Sequence, residues 1–162
     1  MIFIAFDQSS NDSGYSVYND RELIKYGKFK TKGFEFFDKV IETQEFIYEV
    51  IGEYYQEGKK IKIALEDIQL QQRGGVDTFK KLAQLQGVLM ISIMRNFPEA
   101  EIEFIFASSW KSFNGIIGRG RTEQKRNAQA KVKELFNIDV TQDEADAILM
   151  GRHMSHKEMN WE

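Results

Sequence analysis

The sequence predicts an α/β fold built on a five-stranded mixed sheet, an antiparallel meander joined to parallel strands, with helices on its flanks. Three observations carry this expectation. An apolar run at the start of the chain ends on Asp7, two further strand-like segments separated by turn residues follow it, and long helical stripes then alternate with short strands. The chain has 162 residues, 42% of them hydrophobic and 13 of them Phe, which suffices for one substantial core, so a single domain over residues 1–162 is expected. No run approaches the ~20 apolar residues that a membrane span needs, and the opening residues lack the basic flank of a signal peptide. A cytoplasmic protein that engages no membrane is the expectation. The absence of cysteine excludes disulfides, cysteine-ligated zinc and thiol catalysis.

Taken in order, Ile2–Asp7 is almost wholly apolar, as a strand covered on both faces should be. Gln8 to Ser13 is turn chemistry, Gly14 to Tyr18 reads as the second strand, Asn19-Asp20 as a tight turn and Leu23 to Lys30 as the third strand. From Phe34 to Tyr55 the residues Phe37, Val40, Ile41, Ile47, Val50, Ile51 and Tyr54 fit one helical stripe, closed by Gly58 and two lysines. Ile61, Ile63 and Leu65 alternate with Lys62, Ala64 and Glu66, a strand that ends on its carboxylate. The polar segment Gln69–Gly75 reads as a loop and Val76–Met94 as a long helix containing Gly87. A strand over Ile102–Phe106, a short helix capped by Ser108, and a glycine-rich basic loop over Gly115–Gly120 come next. Thr122 to Phe136 reads as a polar helix. Thr141 then caps a last helix whose first turn is strongly acidic.

Four carboxylates stand out in this frame. Asp7 shares a strand face with Ala5, and Glu66 with Ala64; if the two strands are parallel neighbours, both carboxylates leave the sheet at the end where open α/β folds place their ligands. Asp143 and Asp146 stand three apart and so lie on one helix face, whereas Glu144 is turned aside by about 100°. Hard divalent cations take oxygen ligands, and a pair of them suits phosphoryl transfer. A D-x-x-D pair at a helix start also complements the helix dipole, which is an ordinary structural role.

The net charge is −3, against the usual expectation for a nucleic-acid ligand. Its distribution points the other way. Residues 107–133 hold seven basic side chains, among them Lys111, Arg119, Arg121, Lys125 and Arg126, against the single acid Glu123. That polarity fits one phosphate-facing surface, and a solvated helix face gives a similar count.

Taken together, these segments resemble the RuvC family of Holliday-junction resolvases over nearly the whole chain. Ile2 to Asp7 with Gly14-Tyr-Ser-Val resembles the family's first two strands, and Ile63-Ala-Leu-Glu66-Asp its second acidic motif. The helix from Leu82 to Met90 is similar to the one through which the family dimerises. Trp110-Lys111 and Gly115 to Lys125 resemble its basic loop and helix, and Asp143-Glu-Ala-Asp146-Ala-Ile its closing motif. The resemblance implies an RNase H-like fold and a homodimeric, Mg²⁺-dependent endonuclease that cuts four-way and other branched DNA by in-line water attack, leaving a 5′-phosphate. It also implies two Mg²⁺ ions, replaceable by Mn²⁺, held by Asp7, Glu66, Asp143 and Asp146, with Asp7 bridging. Arg73, Lys80, Lys81, Lys111, Arg119, Arg121, Lys125 and Arg126 are then the expected phosphate contacts.

The chain departs from the family at two places: Gln8-Ser9 stands where Pro-Gly is usual, and Gln69 lies where an aromatic commonly follows the glutamate. So short and divergent a form is similar to bacteriophage versions, which implies the cytoplasm of a bacterial host. A branched-DNA-binding module without activity is the alternative within this fold. A small actin-like or kinase-like phosphate binder is another, since Asp7 to Gly14 is loosely similar to that family's phosphate turn. His153 and His156 read as surface histidines, and the two tryptophans as core material.

Overall fold

The computed structural model describes residues 1–69 and 75–158. A five-stranded sheet runs in the order β3-β2-β1-β4-β5, formed by β1 (Ile2–Asp7), β2 (Asp12–Asn19), β3 (Glu22–Lys30), β4 (Ile61–Glu66) and β5 (Ala100–Ile105). β1, β2 and β3 make the antiparallel meander, while β4 lies parallel to β1 and β5 parallel to β4. Five helices complete the described chain: α1 (Phe36–Tyr54), α2 (Gly75–Asn96), α3 (Ala107–Phe113), α4 (Arg121–Phe136) and α5 (Gln142–Glu158). No helix among the described residues is long and apolar enough to cross a membrane.

Period-2 alternation divides the side chains between two cores. Ile4 and Phe6 of β1, with Ile61, Ile63 and Leu65 of β4, face α1 and α2. Phe3, Ala5 and Ala64 face the other way, against Trp110, Val132, Ile148 and Leu149 of α3, α4 and α5. Asp7 and Glu66 continue that second row. Ala5 pairs with Ala64 across the parallel ladder, and these two small side chains leave room for α5 to cross the sheet closely.

Close approach of α5 is built into β2. A Cβ on Gly14 would stand 2.0 Å from the backbone oxygen of Asp143, and one on Gly151 would stand 2.5 Å from Ser16 Oγ. Gly14 lets the strand meet the α5 backbone, and Gly151 makes room for the Ser16 and Tyr18 side chains. The buried Ser16 and Tyr18 hydroxyls donate to the carbonyls of Ala147 and Ile148 at 2.7 and 2.9 Å, so polar side chains of β2 pin α5 in register as well as in depth.

Several expectations shift. β2 starts two residues earlier than Gly14, and the tight turn falls on Asp20-Arg21, with Asp20 at φ 52°. β5 covers residues 100–105 and stops before Phe106, which is the N-cap of α3; the side chain of Ser108 does not cap that helix, because the chain turns helical directly at Ala107. The stripe expected for α1 is half right. Val40, Ile47, Val50 and Ile51 are buried with Thr43, but Phe37 and Ile41 are 68% and 56% exposed. In α2, Leu85, Leu89 and Ile93 bury their face within the chain, while Val88, Ile91 and Met94 form a second, exposed apolar row. At α5 the expected cap holds: Glu144 N–H donates to Thr141 Oγ1, and the Glu144 carboxylate accepts from Thr141 N–H at 2.7 Å.

Candidate active site

The parallel pairing of β1 with β4 settles the central geometric expectation. Phe6 sits opposite Leu65, so the carboxylates that follow, Asp7 and Glu66, leave neighbouring strands at the same end and on the same face. Gly14 stands opposite Asp7 across the antiparallel ladder, and the backbone of Asp143 rests on it. That contact brings the start of α5 to Asp7. Glu144 is used up in the capping box, which leaves Asp143 and Asp146 on the face turned to the sheet. All four expected carboxylates line one cleft of ≈ 680 Å³.

The electrostatics of the cleft are those of crowded negative charge. Burial raises the Asp7 carboxyl well above its usual range, and Glu66, Asp146 and Asp143 add to the shift, with Lys125 opposing. Asp146 is pushed up to about 6, first by burial and then by Glu66, against Lys111 and Lys125. Burial also raises Glu66, while the Trp110 indole, Lys111 and Arg121 draw it back. A bound dication reverses this balance, because its charge favours every ionised form around it. The donor set is all hard oxygen, as Mg²⁺ or Mn²⁺ requires. Among the described residues, no group of three or more His, Asp or Glu side chains is already arranged to hold a metal ion. The four carboxylates form an open set around the cleft.

The expected cations divide into groups. Lys111, Arg121 and Lys125 line the cleft with the carboxylates, and Lys111 Nζ lies 5.3 Å from the Trp110 ring and donates to Gln124 at 3.3 Å. Arg119 and Arg126 are exposed on the adjoining loop and helix, outside the cleft wall. Gln124, Asn127 and Glu123 hold that loop by bonds to the Gly118 and Ile117 carbonyls and the Arg119 N–H. Lys80 and Lys81 are exposed on α2, where Thr78, Phe79 and Leu82 line the cleft, and Lys81 pairs with Asp77 at 3.0 Å. Arg73 lies outside the described residues. His153 and His156 are half-buried against Phe113 and do not line the cleft, so they are less superficial than expected.

Two residues of the site escape a reading based on charge. Trp110 is core material, 1% exposed, but its indole N–H donates to Glu66 Oε2 at 3.1 Å. Gln8, a departure from the resembled pattern, is buried with its amide bonded to the Glu66 backbone. The available signal was physical: a buried indole N–H needs an acceptor.

The model of the family described as "Crossover junction endodeoxyribonuclease RuvC" matches residues 3–151. Among solved structures, Thermus thermophilus RuvC in complex with a Holliday junction substrate superposes with a TM-score of 0.74 at 14% identity, over 98% of this chain and 96% of that one. A second structure of Thermus thermophilus RuvC gives a TM-score of 0.70 at 13% identity, over 99% and 97% of the two chains. The sheet and its helices are therefore an RNase H-like fold. No curated protein matches the chain in sequence.

Proposed function

The chain belongs to the RuvC family of crossover junction endodeoxyribonucleases, and on that premise we propose that it is a metal-dependent endonuclease that cuts Holliday junctions and other branched DNA. One observation carries the reading: carboxylates from β1, β4 and α5 line a single cleft whose remaining wall holds Lys111, Arg121 and Lys125. Asp7, Glu66, Asp143 and Asp146 would hold two Mg²⁺ ions, which supply an activated water and stabilise the leaving oxygen when bound. Mn²⁺ should substitute. Lys111, Arg121 and Lys125 would fix the scissile phosphate, and Arg119, Arg126, Lys80, Lys81 and Arg73 the flanking backbone.

A homodimer is part of the proposal. A four-way junction has two equivalent strands to cut, so two sites related by a two-fold axis match it. The exposed row Val88, Ile91 and Met94 on α2, with open space over Gly87, supports α2 as the shared surface. Phe37 and Ile41, exposed on α1, would extend it, because the bond from Gln44 to Ser92 ties α1 to α2.

The test is cleavage of labelled four-way, three-way, flapped and linear duplex DNA in Mg²⁺. Paired cuts in the four-way junction, weaker cutting of the other branched forms and none of linear duplex are expected. Binding of junctions without cleavage of any substrate in Mg²⁺ or Mn²⁺ would favour the alternative, an inactive binding module of the same fold.

A further inference from the structure

Among the proposed ligands, Glu66 is held with unusual completeness, by residues outside the acidic set. Its pairing to β1 has ended at Leu65, yet Gln8 adds one more rung in side-chain form. The Gln8 amide donates to the Glu66 carbonyl at 2.8 Å and accepts from the Glu66 N–H at 3.2 Å. Gln86 of α2 donates to the same carbonyl at 3.0 Å. The carboxylate itself accepts from the Trp110 indole. Trp110 is in turn fixed: Asn114, buried beneath it, donates to the carbonyls of Trp110 and Leu149 at 2.7 and 2.9 Å and accepts from Arg152. One chain of bonds thus runs from α5, which carries Asp143 and Asp146, through α3 to Glu66.

Resting on the nuclease reading, we infer that Trp110 and Gln8 are positioning residues that clamp Glu66, by head and by backbone, in the orientation in which it takes the metal. An indole N–H is a donor with no acceptor capacity. By donating to Oε2 it fixes the rotation of the carboxylate, whose remaining lone pairs would be available to a cation. A glutamate free to rotate would have to be ordered with every metal it binds. The clamp does this ordering in advance, and hydrogen-bonded partners of metal ligands typically contribute roughly ten- to hundredfold in metal affinity or activity. Gln8 is the counterpart at the backbone, and its role accounts for a glutamine at the first position after Asp7.

The test places β-(3-benzothienyl)alanine at position 110, which keeps the shape of the indole and replaces N–H by sulfur, beside Trp110→Phe and Gln8→Met. Two quantities are read: kcat and KM on a labelled four-way junction, and Mn²⁺ affinity of the DNA-free protein by electron paramagnetic resonance. The expected result is a drop of roughly tenfold or more in kcat and in Mn²⁺ affinity with KM near that of the unaltered protein, the isostere also keeping its melting temperature. An isostere that matches the unaltered protein in both kcat and Mn²⁺ affinity overturns the clamp while leaving the nuclease reading in place. A rise in KM with kcat unchanged also overturns it, because that marks a contact to DNA. If Trp110→Phe fails to fold, the isostere decides. An unaltered protein that neither cuts nor binds Mn²⁺ removes the nuclease reading, and the clamp with it.

Discussion

Gly14 shows how much of the site depends on an absent side chain. Its φ is ordinary, so its importance is space: a Cβ there would fall 2.0 Å from the Asp143 oxygen and 2.4 Å from the Asp143 carbonyl carbon, both backbone atoms that no rotamer change can clear. Because Gly14 pairs with Asp7, any retreat of α5 separates Asp143 and Asp146 from the strand carboxylates. Gly14→Ala is expected to cost about 1–3 kcal/mol of stability by overpacking, and a displacement near 1 Å at the ligands can lower the rate by roughly a hundredfold. Thermal unfolding and single-turnover cleavage check both; full activity in this variant would show that the fit of α5 on β2 is not what sets the site. At the same scale, helical spacing made the pair Asp143 and Asp146 legible and turned Glu144 aside from it. Gln8 was visible only as a departure from a pattern, since a side-chain bond to a backbone 58 residues away leaves no local trace.

Among the elements, β1 and β4 were the most legible, because alternation along a strand fixes which face each residue takes once the partner is known. α1 and α2 were the least. A helix with one buried and one exposed apolar row has the same composition as a helix buried more widely, so Phe37 and Ile41 read as core when they lie on the surface. The exposed rows carry the dimer proposal. Ile91→Glu, at a residue 56% exposed, is expected to convert a dimer to a monomer in sedimentation with the melting temperature of the subunit preserved at low concentration. It should also uncouple the two cuts in a junction while leaving single nicks. A variant that still sediments as a dimer would place the interface elsewhere.

For the molecule as a whole, polarity of charge matters more than its sum. The net −3 conceals a cleft lined by acidic and basic side chains together. Its pH response follows with a definite sign. Asp7 and Asp146 keep their protons to higher pH in the folded state than at the ordinary aspartate value of 3.8, Asp146 up to about 6. Across that window the folded chain binds more protons than the unfolded chain, so the contribution of these groups to stability falls as pH rises, and the cost is complete above it. A divalent cation binds the ionised groups and offsets that cost. The rise in melting temperature on adding Mg²⁺ or Mn²⁺ should therefore be larger at about pH 8 than at about pH 5. An equal rise at both would mean that the ions bind elsewhere.

The central claim is that Asp7 and its three companions form the metal-binding centre that cuts DNA. It is tested most directly by comparing the unaltered protein with Asp7→Asn on a labelled four-way junction, scoring binding in Ca²⁺ and cleavage in Mg²⁺. Removing one carboxylate relieves repulsion in the cleft without changing the shape of the side chain, so Asp7→Asn is expected to bind the junction as well as or better than the unaltered protein and to cut it at least about a thousandfold more slowly. Cleavage by Asp7→Asn at the rate of the unaltered protein would contradict the account.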